Sequence, residues 1–171
     1  LTISGDQLDA LVFGTGTINF VGGNDTLNLT STSTELNTLS DGSVLSLETI
    51  DASTAASSIT IDLSAQSENF IVTGSSNADA LSGGLGRDIL SGGGGGDTIN
   101  GGGDLDYIYG DAGNDNLFGE EGNDNLFGGD NDDIIIVTYG SYNGNNNKVY
   151  VTYDQGNTWQ NITYNLGYLP V

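Results

Sequence analysis

Between Gly74 and Ile136 the chain repeats every nine residues without a slip, and a fixed short period constrains a fold more tightly than any composition does. The seven units are GSSNADALS, GGLGRDILS, GGGGGDTIN, GGGDLDYIY, GDAGNDNLF, GEEGNDNLF and GGDNDDIII. Each places an aspartate sixth, at Asp79, Asp88, Asp97, Asp106, Asp115, Asp124 and Asp133. Each places an aliphatic residue eighth, at Leu81, Leu90, Ile99, Ile108, Leu117, Leu126 and Ile135. A unit this short cannot bury its apolar side chain alone, so the pattern predicts a solenoid whose units stack on one another. Glycines in positions one to six let the backbone take positive φ and turn carbonyls inward, while positions seven to nine form a short extended segment. Two units complete one turn, so loops 1, 3, 5 and 7 line one edge and loops 2, 4 and 6 the other.

Stacked strands lie about 4.8 Å apart, which brings each sixth-position aspartate close to its counterpart eighteen residues on. Carboxylates that close repel unless a cation sits between them. A hard divalent ion taking six or more oxygens at roughly 2.3–2.6 Å, from carboxylates and backbone carbonyls together, is calcium; magnesium demands a stricter octahedron. With no histidine or cysteine in the chain, zinc and copper lose their preferred ligands. Without the ion, thirteen acidic residues face one base, Arg87, across the seven units, and glycine entropy adds to the repulsion. The same stretch then reads as a disordered acidic linker.

Residues 74–136 resemble the repeats-in-toxin, or hemolysin-type calcium-binding, family, whose motif is GGxGxDxUx and whose fold is the parallel β-roll. The resemblance implies that each ion lies between loops of consecutive layers, held by the sixth-position carboxylates of Asp79, Asp88, Asp97, Asp106, Asp115, Asp124 and Asp133. It assigns further ligation to loop backbone carbonyls, at Ser75, Asn77, Gly84, Gly86, Gly92, Gly93, Gly94, Gly95, Gly101, Gly102, Gly103, Asp104, Gly110, Asp111, Ala112, Gly113, Gly119, Glu121, Gly128 and Asp130. Pairing Asp79 with Asp97, Asp97 with Asp115, Asp115 with Asp133, Asp88 with Asp106 and Asp106 with Asp124 implies about five calcium ions. Some units depart from the motif: Ser75 and Asn77 replace loop glycines, Asp111 and Glu120 stand second, and Asp104 and Asn131 stand fourth. Asparagine and aspartate tolerate a left-handed backbone better than most residues.

The formal charge of −21, with Arg87 and Lys148 the only bases, argues against nucleic acid or an anionic membrane as partner. No apolar run approaches the ~20 residues of a membrane span, so no membrane insertion is expected. Without cysteine there are no disulfide staples, and calcium takes that role. The chain carries no initiator methionine and ends at Val171, so it is expected to be a segment of a larger polypeptide.

Ahead of the repeats, residues 1–73 read as degenerate solenoid coils forming an N-terminal cap. From Ser4 three further units can be written, SGDQLDALV, FGTGTINFV and GGNDTLNLT, with Leu11, Phe20 and Leu29 eighth. In this register Asp9 stands sixth and Asp25 fourth, whereas the string GNDTLNL in another phase makes Asp25 a ligand. Short β-type runs follow at 44–47, 58–63 and 70–73, spaced for coils of larger circumference. Thr26, Thr30, Thr32, Thr34 and Thr38 suggest an ice-binding face, but they fall in one segment, and a metal-free stacking cap is preferred.

After the repeats, residues 137–171 read as a β-hairpin, Lys148–Tyr153 against Thr158–Tyr164. Its turn, Thr152 to Trp159, resembles the Asp-box of sialidase-like propellers, which is a structural turn. One hairpin is no propeller, and a cap over the open strand edges of the roll is the favoured reading. The expected fold is therefore all-β: a right-handed parallel β-roll or β-solenoid with irregular N-terminal coils and a C-terminal hairpin cap.

Zero histidines remove a Ser-His-Asp triad and most neutral-pH acid–base schemes, and no catalytic residue is expected. Calcium is scarce in cytosol and plentiful outside, so ion binding couples folding to export. The family resemblance implies type I secretion by a bacterium. Two functional classes follow. One is a calcium-rigidified structural segment of an extracellular adhesin or surface-layer protein with a cell-surface or matrix partner; the other is a folding-and-secretion module of a hydrolase or toxin.

Overall fold

The computed structural model describes residues 2–3, 18–19, 24–33, 44–45, 47–139, 148–152 and 160–161. The proposed units around Asp9, Leu11 and Phe20, most of the Asp-box turn, and Thr34 and Thr38 lie outside the described residues. All regular structure among the described residues is strand.

Two seven-stranded sheets form the walls of a solenoid. One runs β1 (Thr2–Ile3), β3 (Thr26–Leu29), β5 (Thr49–Asp51), β7 (Ile71–Thr73), β9 (Ile89–Gly94), β11 (Tyr107–Ala112) and β13 (Asn125–Asp130). The other runs β6 (Thr60–Asp62), β8 (Ala80–Ser82), β10 (Thr98–Gly102), β12 (Asn116–Glu120), β14 (Ile134–Tyr139), β15 (Lys148–Thr152) and β16 (Gln160–Asn161). A short parallel pair joins β2 (Ile18–Asn19) to β4 (Val44–Leu45). From β1 to β14 every pairing is parallel, as a chain that winds in one sense requires. The chain belongs to the all-β solenoid class, and β15 and β16 add an antiparallel hairpin onto β14.

The eighteen-residue turn is visible in the register. Leu81, Ile99, Leu117 and Ile135 stack in one column, and Leu90, Ile108 and Leu126 in the other. All but Leu126 are at most 2% exposed, so each unit contributes one core side chain. Burying one contributes about 1.5–3 kcal/mol. Leu126 is only partly buried because β13 is the last strand of its sheet.

The N-terminal coils are longer. Leu27, Ile50, Val72 and Leu90 follow one another in register at intervals of 23, 22 and 18 residues. The extra residues carry more apolar side chains inward, with Leu47, Ala52, Ala55, Ile59, Leu63 and Phe70 joining the continuous core. Sequence counting from Ser4 gives Leu29 the eighth position, but the structure gives Leu27 that place, two residues earlier. Leu29 is also buried, one strand pleat further on.

Candidate metal centre

The sixth-position aspartates form two ladders, one on each edge. On the first, the N–H of Asp79 donates to Asp97 Oδ1 at 2.7 Å, that of Asp97 to Asp115 Oδ1 at 2.8 Å, and that of Asp115 to Asp133 Oδ1 at 3.0 Å. On the second, Asp88 donates to Asp106 Oδ1 at 2.8 Å and Asp106 to Asp124 Oδ1 at 3.1 Å. The carbonyl of each earlier aspartate accepts the N–H of the seventh residue one turn later, as in Asn116 to Asp97 at 2.8 Å. The five aspartate pairs read from the sequence are thus adjacent rungs, and each rung spends one carboxylate oxygen on a backbone donor.

The second oxygen is the one that bears on chemistry. Oδ2 of Asp97, Asp106, Asp115 and Asp133 is buried and accepts no hydrogen bond. A buried, unpartnered carboxylate oxygen is costly, and such an atom needs a cation or a donor. Its position explains the first glycine of every unit. A Cβ on Gly92 would lie 2.2 Å from Asp97 Oδ2 and 2.8 Å from the Gly110 carbonyl oxygen. At Gly101 the corresponding atoms are Asp106 Oδ2 at 2.5 Å and the Gly119 carbonyl at 2.8 Å; at Gly110 they are Asp115 Oδ2 and the Gly128 carbonyl, both at 2.4 Å. The missing side chain leaves a cradle in which one carboxylate oxygen and a carbonyl of the next turn converge.

Loop conformation divides the seven units. In loops 3 to 7 the second and fourth residues both have positive φ: Gly93 and Gly95, Gly102 and Asp104, Asp111 and Gly113, Glu120 and Gly122, Gly129 and Asn131. The four departures from glycine at these positions are Asp or Asn in three cases and Glu120 in the fourth. Loops 1 and 2 have no such residue. There the second residue instead donates its N–H to its own aspartate, Ser75 to Asp79 Oδ2 at 2.5 Å and Gly84 to Asp88 Oδ2 at 2.7 Å.

Burial sets the electrostatics. Asp97, Asp106 and Asp115 are at most 1% exposed, and no base lies among them. Desolvation pushes Asp106 up to about 7, with Asp88, Asp124 and Asp104 adding repulsion against the lowering effect of the Asp88 N–H. Desolvation likewise raises Asp97 to about 6, and Asp115, Asp79 and Asp111 add to it. Asp88, Asp115, Asp124 and Asp133 are also raised, each first by burial. Without a cation the stacked ladder favours protons, which is the signature of a site built for positive charge.

The donor set is all hard oxygen. No group of three or more acidic side chains converges among the described residues, so any ion must draw on carboxylate and carbonyl oxygens together. That mixture fits calcium. Some of the carbonyls named from the sequence already serve the stacking: those of Ser75, Gly84, Gly102, Ala112 and Asp130 accept inter-loop N–H donors. A carbonyl oxygen has a second lone pair, so this leaves them able to ligate.

Apart from Asp25, which the phase GNDTLNL marks as a ligand, sequence reasoning missed the ends of the ladders. Ile59 and Phe70 occupy the sixth place one turn below Asp79 and Asp88, and their N–H groups donate to the Oδ1 of those aspartates, both at 2.8 Å. Below Phe70 the same column continues with Glu48 and Asp25, where the Asp25 N–H donates to Glu48 Oε2 at 2.7 Å. Counting back 22 and then 23 residues from Phe70 finds them, but no fixed nine-residue ruler reaches Glu48.

Residues 73–108 and 104–135 match the family model of the RTX calcium-binding nonapeptide repeat, which comprises four copies. No curated protein and no solved structure matches the chain.

Proposed function

We propose that this chain, whose residues 73–135 are RTX calcium-binding nonapeptide repeats, is a calcium-folded structural segment of a secreted bacterial surface protein of adhesin or surface-layer type. The observation that carries the reading is the row of buried Oδ2 atoms on Asp97, Asp106, Asp115 and Asp133 that no donor satisfies. Bound calcium supplies the positive charge these oxygens need. The first-position carbonyls of Gly110, Gly119 and Gly128 stand beside three of them, and the other loop carbonyls complete the oxygen shell. The five stacked aspartate pairs set an upper count of about five ions.

In a low-calcium cytosol the acidic, glycine-rich units stay unfolded, which suits passage through a narrow export channel. Outside, millimolar calcium folds them by mass action. The segment works as a scaffold and carries out no catalysis. The β-rich flanks on both sides, longer coils before and a hairpin after, favour a serial structural module. A second reading, a folding-and-secretion module of a hydrolase or toxin, draws on the same export logic; catalytic motifs elsewhere in the parent sequence would favour it.

The test is a calcium titration of the chelator-treated chain, followed by far-UV circular dichroism with a calorimetric ion count. A cooperative gain of β-structure with several ions bound supports the reading. Spectra that calcium leaves unchanged, with no heat of binding, overturn it.

A further inference from the structure

The seven repeats look equivalent in sequence, but the structure divides them into two chemical classes. In units 1 and 2 both oxygens of the aspartate are satisfied by protein donors. Asp79 takes the N–H of Ile59 on Oδ1, the N–H of Ser75 on Oδ2, and the Ser75 hydroxyl on Oδ1 at 3.1 Å. Asp88 takes the N–H of Phe70 and that of Gly84. In units 3, 4, 5 and 7 the Oδ2 has no partner. The split coincides with loop conformation, since only units 3 to 7 carry left-handed backbone at positions two and four.

Resting on the calcium reading above, we propose that Asp79 and Asp88 are hydrogen-bond acceptors rather than calcium ligands. With the N-terminal coils they form a base that stays folded without calcium, on which the metal-dependent turns from Gly92 onward assemble. The cradles beside Asp97, Asp106 and Asp115 then make three complete calcium sites, because each joins an unpartnered Oδ2 to a first-glycine carbonyl of the following turn. Gly74 and Gly83 face the carbonyls of Gly92 and Gly101 in the same way, but there Oδ2 is already bonded to an N–H. The repeat ends at Ile136, so no first glycine stands one turn on from Asp124 or Asp133.

Packing supports the division. Among the described residues, eleven of the seventeen buried apolar side chains lie between Leu27 and Val72, and six in the repeats. The coils therefore carry their own hydrophobic core, joined to the roll through Leu81 and Leu90. The carboxylates at the junction meet donors instead of one another: beneath Asp79 and Asp88 stand Ile59 and Phe70, which bring no charge. On the coil side of these two aspartates there is no second carboxylate for calcium to neutralise. From Asp97 upward each carboxylate has an aspartate directly below it, and only a cation relieves that stack.

Amide hydrogen exchange of the full chain, read by mass spectrometry in chelator and in millimolar calcium, tests this. In chelator, amides of 60–82 are expected to be protected on the order of a hundredfold or more, while those of 98–136 exchange at coil rates. In calcium both are protected. Exchange of 60–82 as fast as 98–136 in chelator would overturn the base, and would leave the calcium-folding reading standing. Protection of 98–136 that calcium does not alter would overturn that reading instead.

Ion counting supplies the second arm. Asp79→Asn and Asp88→Asn are expected to keep the wild-type calorimetric stoichiometry of three, and Asp97→Asn, Asp106→Asn and Asp115→Asn each to lower it. Loss of an ion in either of the first two variants, with exchange showing 60–82 still protected, would make those aspartates ligands and sink the assignment.

Discussion

The coils before Gly74 and the repeats after it solve one problem, stacking parallel turns, by opposite means. A coil turn spends 22 or 23 residues and fills its interior with several large apolar side chains, Phe70 among them. A repeat turn spends eighteen, encloses two aliphatic residues, and devotes the remaining space to carboxylates and glycine backbone. Shortening the turn removes hydrophobic stabilisation and inserts charge, so stability passes from the solvent's aversion to apolar surface to an external ion. A chain containing both has an obligatory part and a conditional part, and each prediction below acts on one and spares the other.

The largest contrast comes from glycine. A Cβ on Gly113 would lie 1.3 Å from the Gly95 carbonyl oxygen, and its φ is +142°. Gly113→Ala is expected to prevent the repeat turns from closing, a cost on the order of 4 kcal/mol or more, and to abolish the calcium-induced gain in circular dichroism. Gly103 stands third in the preceding loop, where the nearest neighbour of an added Cβ would be the Leu85 Cα at 3.5 Å, and its φ is not left-handed. Gly103→Ala is expected to titrate like the parent. Equal behaviour of the two variants would show that the loops do not hold this packing.

Cavities separate the two cores next. Phe70 is 1% exposed in the coil core, and Phe70→Ala is expected to cost about 3–5 kcal/mol with or without calcium. Leu117, fully buried in the roll, is expected to cost about 2–5 kcal/mol on substitution by alanine, but only in calcium. Urea denaturation in chelator and in calcium gives four curves that check both claims. A Leu117→Ala effect persisting in chelator would mean that the roll is folded without metal.

The degree to which this was legible in the sequence follows the same division. Where the period is fixed, spacing alone specifies the turn length, the inward column from Leu81 to Ile135 and the aspartate pairs; it does not specify which loops take left-handed backbone, since loops 3 to 7 do and loops 1 and 2 do not. The hairpin on β14 was legible too, because alternating tyrosine, valine and threonine sit at strand spacing. Where the turn is longer, no ruler applies. Leu27 and Leu29 are both apolar and two apart, so pattern alone could not choose between them, and the choice was settled by stacking on Ile50 and Val72. The difference between Asp79 and Asp97 was equally hidden, since it depends on whether the second residue's N–H reaches its own carboxylate.

Acidity should act chiefly on the conditional part, where every raised carboxylate except Asp88 lies. In the metal-free roll burial raises Asp97 to about 6 and Asp106 to about 7, against about 3.9 for an unfolded aspartate. The folded form then binds protons more tightly than the unfolded one. Its stability is greatest below about pH 4 and is lost as pH rises through 6 to 7. Chelator-treated chain is expected to show more β-structure at pH 5 than at pH 8. Protons and calcium compete for the same oxygens, so the calcium midpoint is expected to move to higher concentration at pH 5. A midpoint that does not move would mean that these carboxylates do not bind the ion.

The smallest effect lies on the outer face, where the two regions differ least. The column Thr73, Ser91, Tyr109, Phe127 runs across the coil–roll boundary in register. Only its last two members can stack, and their rings lie 5.0 Å apart and 9° from parallel. Phe127 is 50% exposed, so its burial contributes little, and the pair is expected to couple by about 0.5–1 kcal/mol in a double-mutant cycle with Tyr109→Ala and Phe127→Ala. The coupling should exist only in calcium, because both strands belong to the conditional turns. Measured in chelator it should vanish, and a coupling of equal size there would place Tyr109 and Phe127 in the part of the chain that folds without the ion.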